Sequence, residues 1–284
     1  MTDSTYDVAI VTDSTCDIPD ALIEQYDLTI VPLYILWGDE QLIDGVEIDQ
    51  DAFFDRLPDD PVHPKTSQPT PTDFVHAIEG LEAQEVVIIT ISQALSGTYE
   101  SACQAREELD VPVHVVDSYS LSMGLGWQVL AAARAREKGA DVEGMIAALE
   151  RARQGMHLLL TVDTLEYLHR GGRIGGAAKL LGSLVQLKPL LGINHETGTL
   201  EAVEKIRTRK RALQRLVEEV FERVDPHELT HAAVVHGAAP EDARLLLHEI
   251  IERCRQVEPV VSSITPVLGV HGGPGLVGIA AYNA

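Results

Sequence analysis

Cysteine is scarce in this chain: Cys16, Cys103 and Cys254 are the three in 284 residues, odd in number and far apart. That excludes a disulfide framework and a cysteine-type zinc site, and it fits a reduced, cytoplasmic setting. Aromatic residues make up only 5%, so the core has to be built from aliphatic side chains. No run approaches the roughly 20 apolar residues that a membrane-spanning helix needs. The start, Met1-Thr2-Asp3-Ser4, lacks the basic-then-apolar pattern of a signal peptide. Basic charge is nearly missing from residues 1–60, where sixteen Asp or Glu stand against Arg56 alone. Over the whole chain 44 acidic and 22 basic side chains give a formal net charge of −22. Such a balance repels a phosphate backbone and argues against a general nucleic-acid binder. Its plain cause is solubility or a salty habitat. The positive charge that exists is concentrated, because residues 156–224 hold eleven basic against eight acidic side chains.

What is present is aliphatic and rhythmic. With 45% hydrophobic residues the chain can form one large domain or two ordinary ones. Val8–Val11, Val86–Ile91 and Val113–Asp117 read as short buried strands. Helices are predicted after Pro19, over Gln50–Leu57 behind Asp49, over Asp73–Glu82 behind Thr72, and over Gly97–Leu109 and Leu121–Lys138. Leu28–Trp37 and Gly38-Asp39-Glu40 suggest a hairpin returning through Gln41–Ile43. Alternation of this kind argues for a mostly parallel sheet covered by helices. Near residue 155 the rhythm changes. Strands are expected at Met156–Val162, Ala232–His236, Val260–Thr265 and Leu276–Tyr282, with a hairpin of Pro189–Ile193 and Leu200–Arg207. Helices are expected at Thr164–Arg170, Ile174–Leu187, Thr208–Arg223 and Pro240–Gln256. The expected fold is therefore two-domain α/β: residues 1–155 around a parallel sheet and residues 156–284 around a mixed one.

Two hydroxyl-rich loops lie about thirty residues apart, Lys65-Thr66-Ser67-Gln68-Pro69 and Ser92-Gln93-Ala94-Leu95-Ser96-Gly97-Thr98-Tyr99. The second follows a buried strand and opens a helix, which sets hydroxyls and free N–H groups at a positive helix end suited to carboxylate or phosphate. Ordinary helix capping is the alternative, and the carboxyl end of a strand in an open α/β sheet favours a ligand. Thr66 sits among Pro61, Pro64, Pro69 and Pro71, in either a stiff connector or a loop that presents its hydroxyl at low ordering cost. Val270-His271-Gly272-Gly273-Pro274-Gly275 interrupts two apolar runs and puts His271 on a glycine loop, as a satisfied loop residue, an anion partner or a general base. Arg173, beside Gly171-Gly172, can grip a carboxylate or phosphate in bidentate fashion, whereas Arg209–Arg215 reads as a solvated helix face. Neither a Gly-x-Ser-x-Gly elbow nor a Gly-x-x-x-x-Gly-Lys-Ser/Thr loop occurs. With no acid–base pair or metal cluster beside these loops, they point to anion capture ahead of catalysis.

Taken in order, the segments Val11-Thr12-Asp13-Ser14-Thr15, Thr66-Ser67-Gln68-Pro69, Leu95-Ser96-Gly97-Thr98-Tyr99 and Gly171-Gly172-Arg173-Ile174 resemble the DegV family. So do Leu187-Lys188-Pro189-Leu190-Leu191, Arg207-Thr208-Arg209 and His271-Gly272-Gly273-Pro274-Gly275, which carry the likeness nearly end to end. These are bacterial lipid-binding proteins that include the fatty-acid-carrying subunit of fatty acid kinase. The resemblance implies a long-chain fatty acid held between two α/β domains, with its carboxylate at Thr66, Ser96 and His271 and with Thr98 as a further member. It implies a binding subunit with no catalytic residue, metal or cofactor of its own, serving phospholipid metabolism. A separate ATP-dependent fatty acid kinase subunit would phosphorylate the carboxylate, and an acyltransferase would take the acyl phosphate. Arg173 and Arg207 would face that partner or the phosphate. The rival expectation is a serine-dependent acyl hydrolase or acyltransferase using Ser96 and His271. A small-metabolite or phosphate sensor is a third, and it requires a polar pocket. Oligomeric state is not set by the sequence, although antiparallel edges and an acidic surface are compatible with a monomer.

Overall fold

The continuous apolar runs become strands buried on both faces, and the amphipathic stretches between them become the covering helices. The computed structural model describes residues 6–182 and 187–284. Its first half runs β1 (Val8–Asp13), α1 (Asp20–Gln25), β2 (Leu28–Val31), β3 (Tyr34–Trp37), β4 (Glu40–Ile43), α2 (Gln50–Arg56), β5 (Lys65–Ser67) and α3 (Pro71–Glu79). It continues with β6 (Glu85–Thr90), α4 (Thr98–Arg106), β7 (Val113–Asp117), α5 (Met123–Glu137) and α6 (Val142–Gly155). The second half runs β8 (His157–Thr161), α7 (Glu166–Arg170), β9 (Leu190–Ile193), β10 (Leu200–Glu204) and α8 (Arg209–Phe221). It ends with β11 (Leu229–His236), α9 (Pro240–Arg253), β12 (Gln256–Ser263), α10 (Pro266–Gly272) and β13 (Val277–Asn283).

The first sheet has the order β2-β1-β6-β7 and is parallel throughout. The large second sheet, β10-β9-β8-β13-β11-β12, is antiparallel except where β11 pairs with β12, so it is mixed. Both match the expected architecture. The expected hairpin forms between β3 and β4, and β5 joins it on β3; together they make a third, antiparallel sheet, β4-β3-β5, separate from the first. It arises because the apolar run from Leu28 breaks at Pro32, which lacks the N–H a continuing ladder needs. In this small sheet Thr66 stands opposite Ile35.

Helix α5 explains how the two large sheets are joined. Met123, Leu125, Trp127, Val129 and Leu130 are all fully buried, so the helix is apolar around most of its circumference. It packs against β1 and β6 on one side and β8, β11 and β13 on the other. The Trp127 indole donates to Ala280 O of β13 at 3.1 Å, and Arg136 donates to Val8 O of β1 at 3.0 Å. The largest apolar cluster consequently draws on both sheets, from Ile10 and Val87 to Leu158 and Ala280.

Four expectations need correction. Helix α6 was not anticipated, although Val142, Met145, Leu149 and Ala152 are buried at helical spacing and Asp141 caps it through Gly144 N–H at 2.9 Å. The cap of α3 is Thr70, not Thr72: Thr70 Oγ1 accepts Asp73 N–H at 3.2 Å and Asp73 accepts Thr70 N–H at 2.7 Å, a reciprocal capping box ahead of Pro71. The helix predicted over Ile174–Leu187 is a 3-10 turn at Gly175–Leu180, because Gly175 adopts φ +48 against the Leu200 carbonyl; positions 183–186 of that prediction lie outside the described residues. His271, finally, is not on a glycine loop. It lies in the last turn of α10, with Gly273 terminating the helix at φ +71. Among the described residues no helix is long and apolar enough to cross a membrane.

Candidate functional site

Register and capping bring two distant segments together. Pairing of β5 with β3 places Thr66 beside the end of α10, where its hydroxyl meets His271 Nε2 at 2.9 Å across 205 residues. The other ring nitrogen, Nδ1, is buried with no hydrogen-bond partner among the described residues and packs against Gly171. A proton on Nδ1 would be an unpaired buried donor, so the tautomer with its proton on Nε2 is the less costly one. Burial, then the charge of Arg173, then His63, push His271 down to about 4, and the ring is neutral near pH 7.

The second hydroxyl loop arrives from the carboxyl end of β6. The chain turns through Ser92, with Ser96 N–H donating to Ser92 O at 3.1 Å, and α4 starts at Thr98. No side chain caps this helix: its N-cap is Gly97, and the Ser96 and Thr98 hydroxyls bond each other at 2.9 Å. Gly97 has a packing reason. A Cβ there would lie 2.7 Å from Gln68 Nε2, so the glycine lets the side chain after Ser67 reach the second loop.

Thr66, Ser96 and His271 line one cavity together with Arg173. Its remaining lining is almost wholly aliphatic, including Leu33, Leu95 and Leu121 from the first half and Leu158, Leu160 and Val235 from the second. It spans about 900 Å³ of space between protein atoms, its open mouth included. Thr98, expected as a further member of the site, is fully buried and is not among the lining residues; its hydroxyl meets that of Ser96 at 2.9 Å. The exposed Arg173 donates to Leu95 O at 3.1 Å and Gly171 O at 2.9 Å. It also lines an adjoining cleft with Gln93, Gly97, Gly172 and Thr199. Arg207 is exposed and lies outside both linings. Much of the basic patch around it is already paired: Arg209 with Asp242 at 2.7 Å, Arg211 with Glu218 at 3.4 Å, Arg215 with Glu204 at 2.8 Å.

The family model described as an uncharacterised protein of the DegV family matches residues 7–284. The chain belongs to the DegV family. A DegV domain-containing protein of Streptomyces coelicolor is 39% identical over 281 residues, covering 97% of this chain and 98% of that protein. The solved structure of a fatty-acid-binding DegV protein from Thermus thermophilus is similar with a TM-score of 0.91 and 34% identity, over 98% of this chain and 100% of that one. DegV from Bacillus subtilis, a fatty acid binding protein, is similar with a TM-score of 0.90 and 31% identity, over 99% of this chain and 100% of that one. A stearic-acid-binding protein from Eubacterium ventriosum is similar with a TM-score of 0.86 and 27% identity, over 98% of each chain.

Within the DegV fold, Thr66, Ser96, Arg173 and His271, which stand out in the sequence, line this cavity, whereas its aliphatic walls do not stand out. Leu33, Leu121, Leu158 and Val235 carry no signal beyond being aliphatic. Nor was there a signal for the acids that hold α10: Asp17 accepts Thr265 N–H at 2.8 Å and Asp44 accepts Val267 N–H at 3.0 Å.

Proposed function

We propose that this chain binds one long-chain fatty acid, with the carboxylate at Thr66, Ser96 and His271 and the acyl chain along the aliphatic cavity between residues 1–155 and residues 156–284 taken as two domains. The observation that carries this reading is the Thr66–His271 hydrogen bond in a cavity that also holds Gln68, Ser96, Ser122 and Arg173 and is otherwise lined mainly by leucine, isoleucine and valine. Chain burial at about 0.8 kcal/mol per methylene gives roughly 13 kcal/mol over sixteen methylenes. Ordering and association offset a large part of that. The hydroxyls and imidazole contribute less, and they decide which end of the ligand faces the mouth.

The finer reading is that the bound carboxylate is presented to an ATP-dependent kinase subunit, and that the acyl phosphate passes on to an acyltransferase. Arg173 supports it, because it lies beside the head-group residues, is exposed, and has no carboxylate paired to it among the described residues. Arg207 would contribute to the same face from outside the cavity. The serine-hydrolase reading is the weaker one: Ser96 is bonded to Thr98 and His271 to Thr66, so base and nucleophile are engaged elsewhere.

Mass spectrometry of the purified protein, native and then after organic extraction, tests the binding reading. One fatty acid per chain is the expected result. A protein that emerges empty and resists loading with C16–C18 acids would refute it. Turnover of acyl esters and labelling by a serine-reactive phosphonate would favour the hydrolase instead.

A further inference from the structure

A buried carboxyl ties the two walls of the cavity together without touching it. Asp17 follows β1, is 4% exposed, and adopts a left-handed backbone at φ 49. One carboxyl oxygen accepts Thr265 N–H at 2.8 Å, 248 residues away and immediately before α10. The other accepts the Ser122 hydroxyl at 2.5 Å. Ser122 lines the cavity ahead of α5 with φ 51 and ψ −148, a conformation that L residues rarely hold unless their surroundings enforce it. Thr265 opens the helix whose far end carries His271.

This helix does not cap itself. The Thr265 side chain makes no capping bond, and Pro266 has no N–H to satisfy. Asp44 provides a second anchor, accepting Val267 N–H at 3.0 Å and the Ser14 hydroxyl at 2.6 Å. Asp13, the third acid of the cluster, bonds only Thr15 and Ile91 among the described residues. None of the three has a basic partner among the described residues, and burial pushes Asp17 up to about 8. Acids buried this way are costly, and Thr265 alone could have capped the helix. Their placement calls for another reason.

We infer that Asp17 is a positioning residue of the head-group site: through Thr265 N–H and the Ser122 hydroxyl it sets the pose of α10, and with it the approach of His271 to Thr66. This rests on the fatty-acid reading above and deepens it, since Asp17 would govern affinity without contacting the ligand.

Four variants test it: Asp17→Ala; Asp17→Asn, which keeps an acceptor; Thr265→Pro, which removes that N–H at a φ of −64 that proline accepts, together with a side chain that makes no capping bond; and Met145→Ala. The last lies in α6, outside the cavity lining, and reports what destabilisation alone does. The readouts on delipidated protein are binding of the fluorescent acid cis-parinarate and the His271 imidazole resonances. Asp17→Ala and Thr265→Pro should weaken binding about tenfold and shift the His271 signals. Asp17→Asn should restore affinity to within about threefold of the parent, and Met145→Ala should leave the His271 signals in place. Unmoved His271 signals in both Asp17→Ala and Thr265→Pro would overturn the inference, as would the same shift in Met145→Ala. If Asp17→Ala does not fold, Thr265→Pro decides. A parent protein that binds no long-chain acid sinks the fatty-acid reading alone, and the imidazole spectra still decide the role of Asp17.

Discussion

Gly171 packs so closely on the His271 imidazole that a Cβ at position 171 would overlap Nδ1 and sit 2.8 Å from Cε1. The glycine is needed for space, not for backbone freedom, because its φ of −75 suits any residue. Gly171→Ala should therefore push the ring off Thr66 with little backbone strain. Fatty-acid affinity is expected to fall about tenfold, the scale of one hydrogen bond to a charged group, while the melting temperature changes little. Titration with a fluorescent fatty acid beside thermal denaturation checks this. Parent-like affinity would show that the ring position does not matter for binding.

The two head-group hydroxyls give a second test. Thr66→Val removes one donor and leaves His271 Nε2 without its partner; Ser96→Ala removes the other and strands the buried Thr98 hydroxyl. Each should cost about 1.5–3 kcal/mol of binding free energy, with the fold retained. Because both hydroxyls serve one carboxylate, the double variant should lose less than the sum of the two. Isothermal titration calorimetry on the three proteins measures this directly. Unchanged affinity in either single variant removes that hydroxyl from the site.

The legible parts of this protein are those encoded over short stretches. Val86–Ile91 announces a buried strand by its own composition, and Ser96-Gly97-Thr98 announces a helix start within three residues. Helix α6 was legible too, in the spacing of Val142, Met145, Leu149 and Ala152, and was overlooked. The state of His271 was not legible. Its local sequence is rich in glycine and reads as a loop, while the groups that make it helical, Asp17 and Asp44, lie more than 220 residues earlier. The same holds for Thr66, whose partner becomes visible only once β5 pairs with β3. The basic patch shows the reverse problem: eleven cations within 69 residues look like a binding surface, yet α8 pairs Arg215 with Glu218 one turn along and with Glu204 on β10.

Arg173 offers a test that separates fatty-acid binding from the proposed presentation to a kinase. It lies at the mouth and donates to Leu95 O and Gly171 O, so its loss loosens the rim while Thr66, Ser96 and His271 stay in place. Arg173→Ala should change fatty-acid affinity by less than about threefold, since no hydrogen bond from the head-group hydroxyls is lost. Phosphorylation of the bound acid by an ATP-dependent fatty acid kinase subunit should drop at least about tenfold, as expected when a guanidinium facing the transferred phosphate is removed. Single-turnover assays with radiolabelled ATP would read this out. Normal phosphorylation of the variant would remove Arg173 from the presenting face.

The protonation state of His271 links stability and ligand in opposite directions. In the folded protein burial, Arg173 and His63 hold the ring down to about 4, whereas an unfolded histidine titrates near about 6.5. Between those values the unfolded chain takes up a proton that the folded chain refuses. The contribution to stability is thus complete above about pH 6.5 and is lost as the pH falls toward about 4. His157, also held down to about 4, acts in the same window, so the comparison has to be made against His271→Gln. That variant should show a shallower loss of melting temperature between pH 6.5 and 4 than the parent. A carboxylate bound beside the ring favours the imidazolium and offsets part of its desolvation. Saturating fatty acid should raise the His271 midpoint by about one unit or more, followed through the imidazole C2–H signal in an NMR pH titration. A midpoint that stays put on loading would mean that the carboxylate binds away from His271.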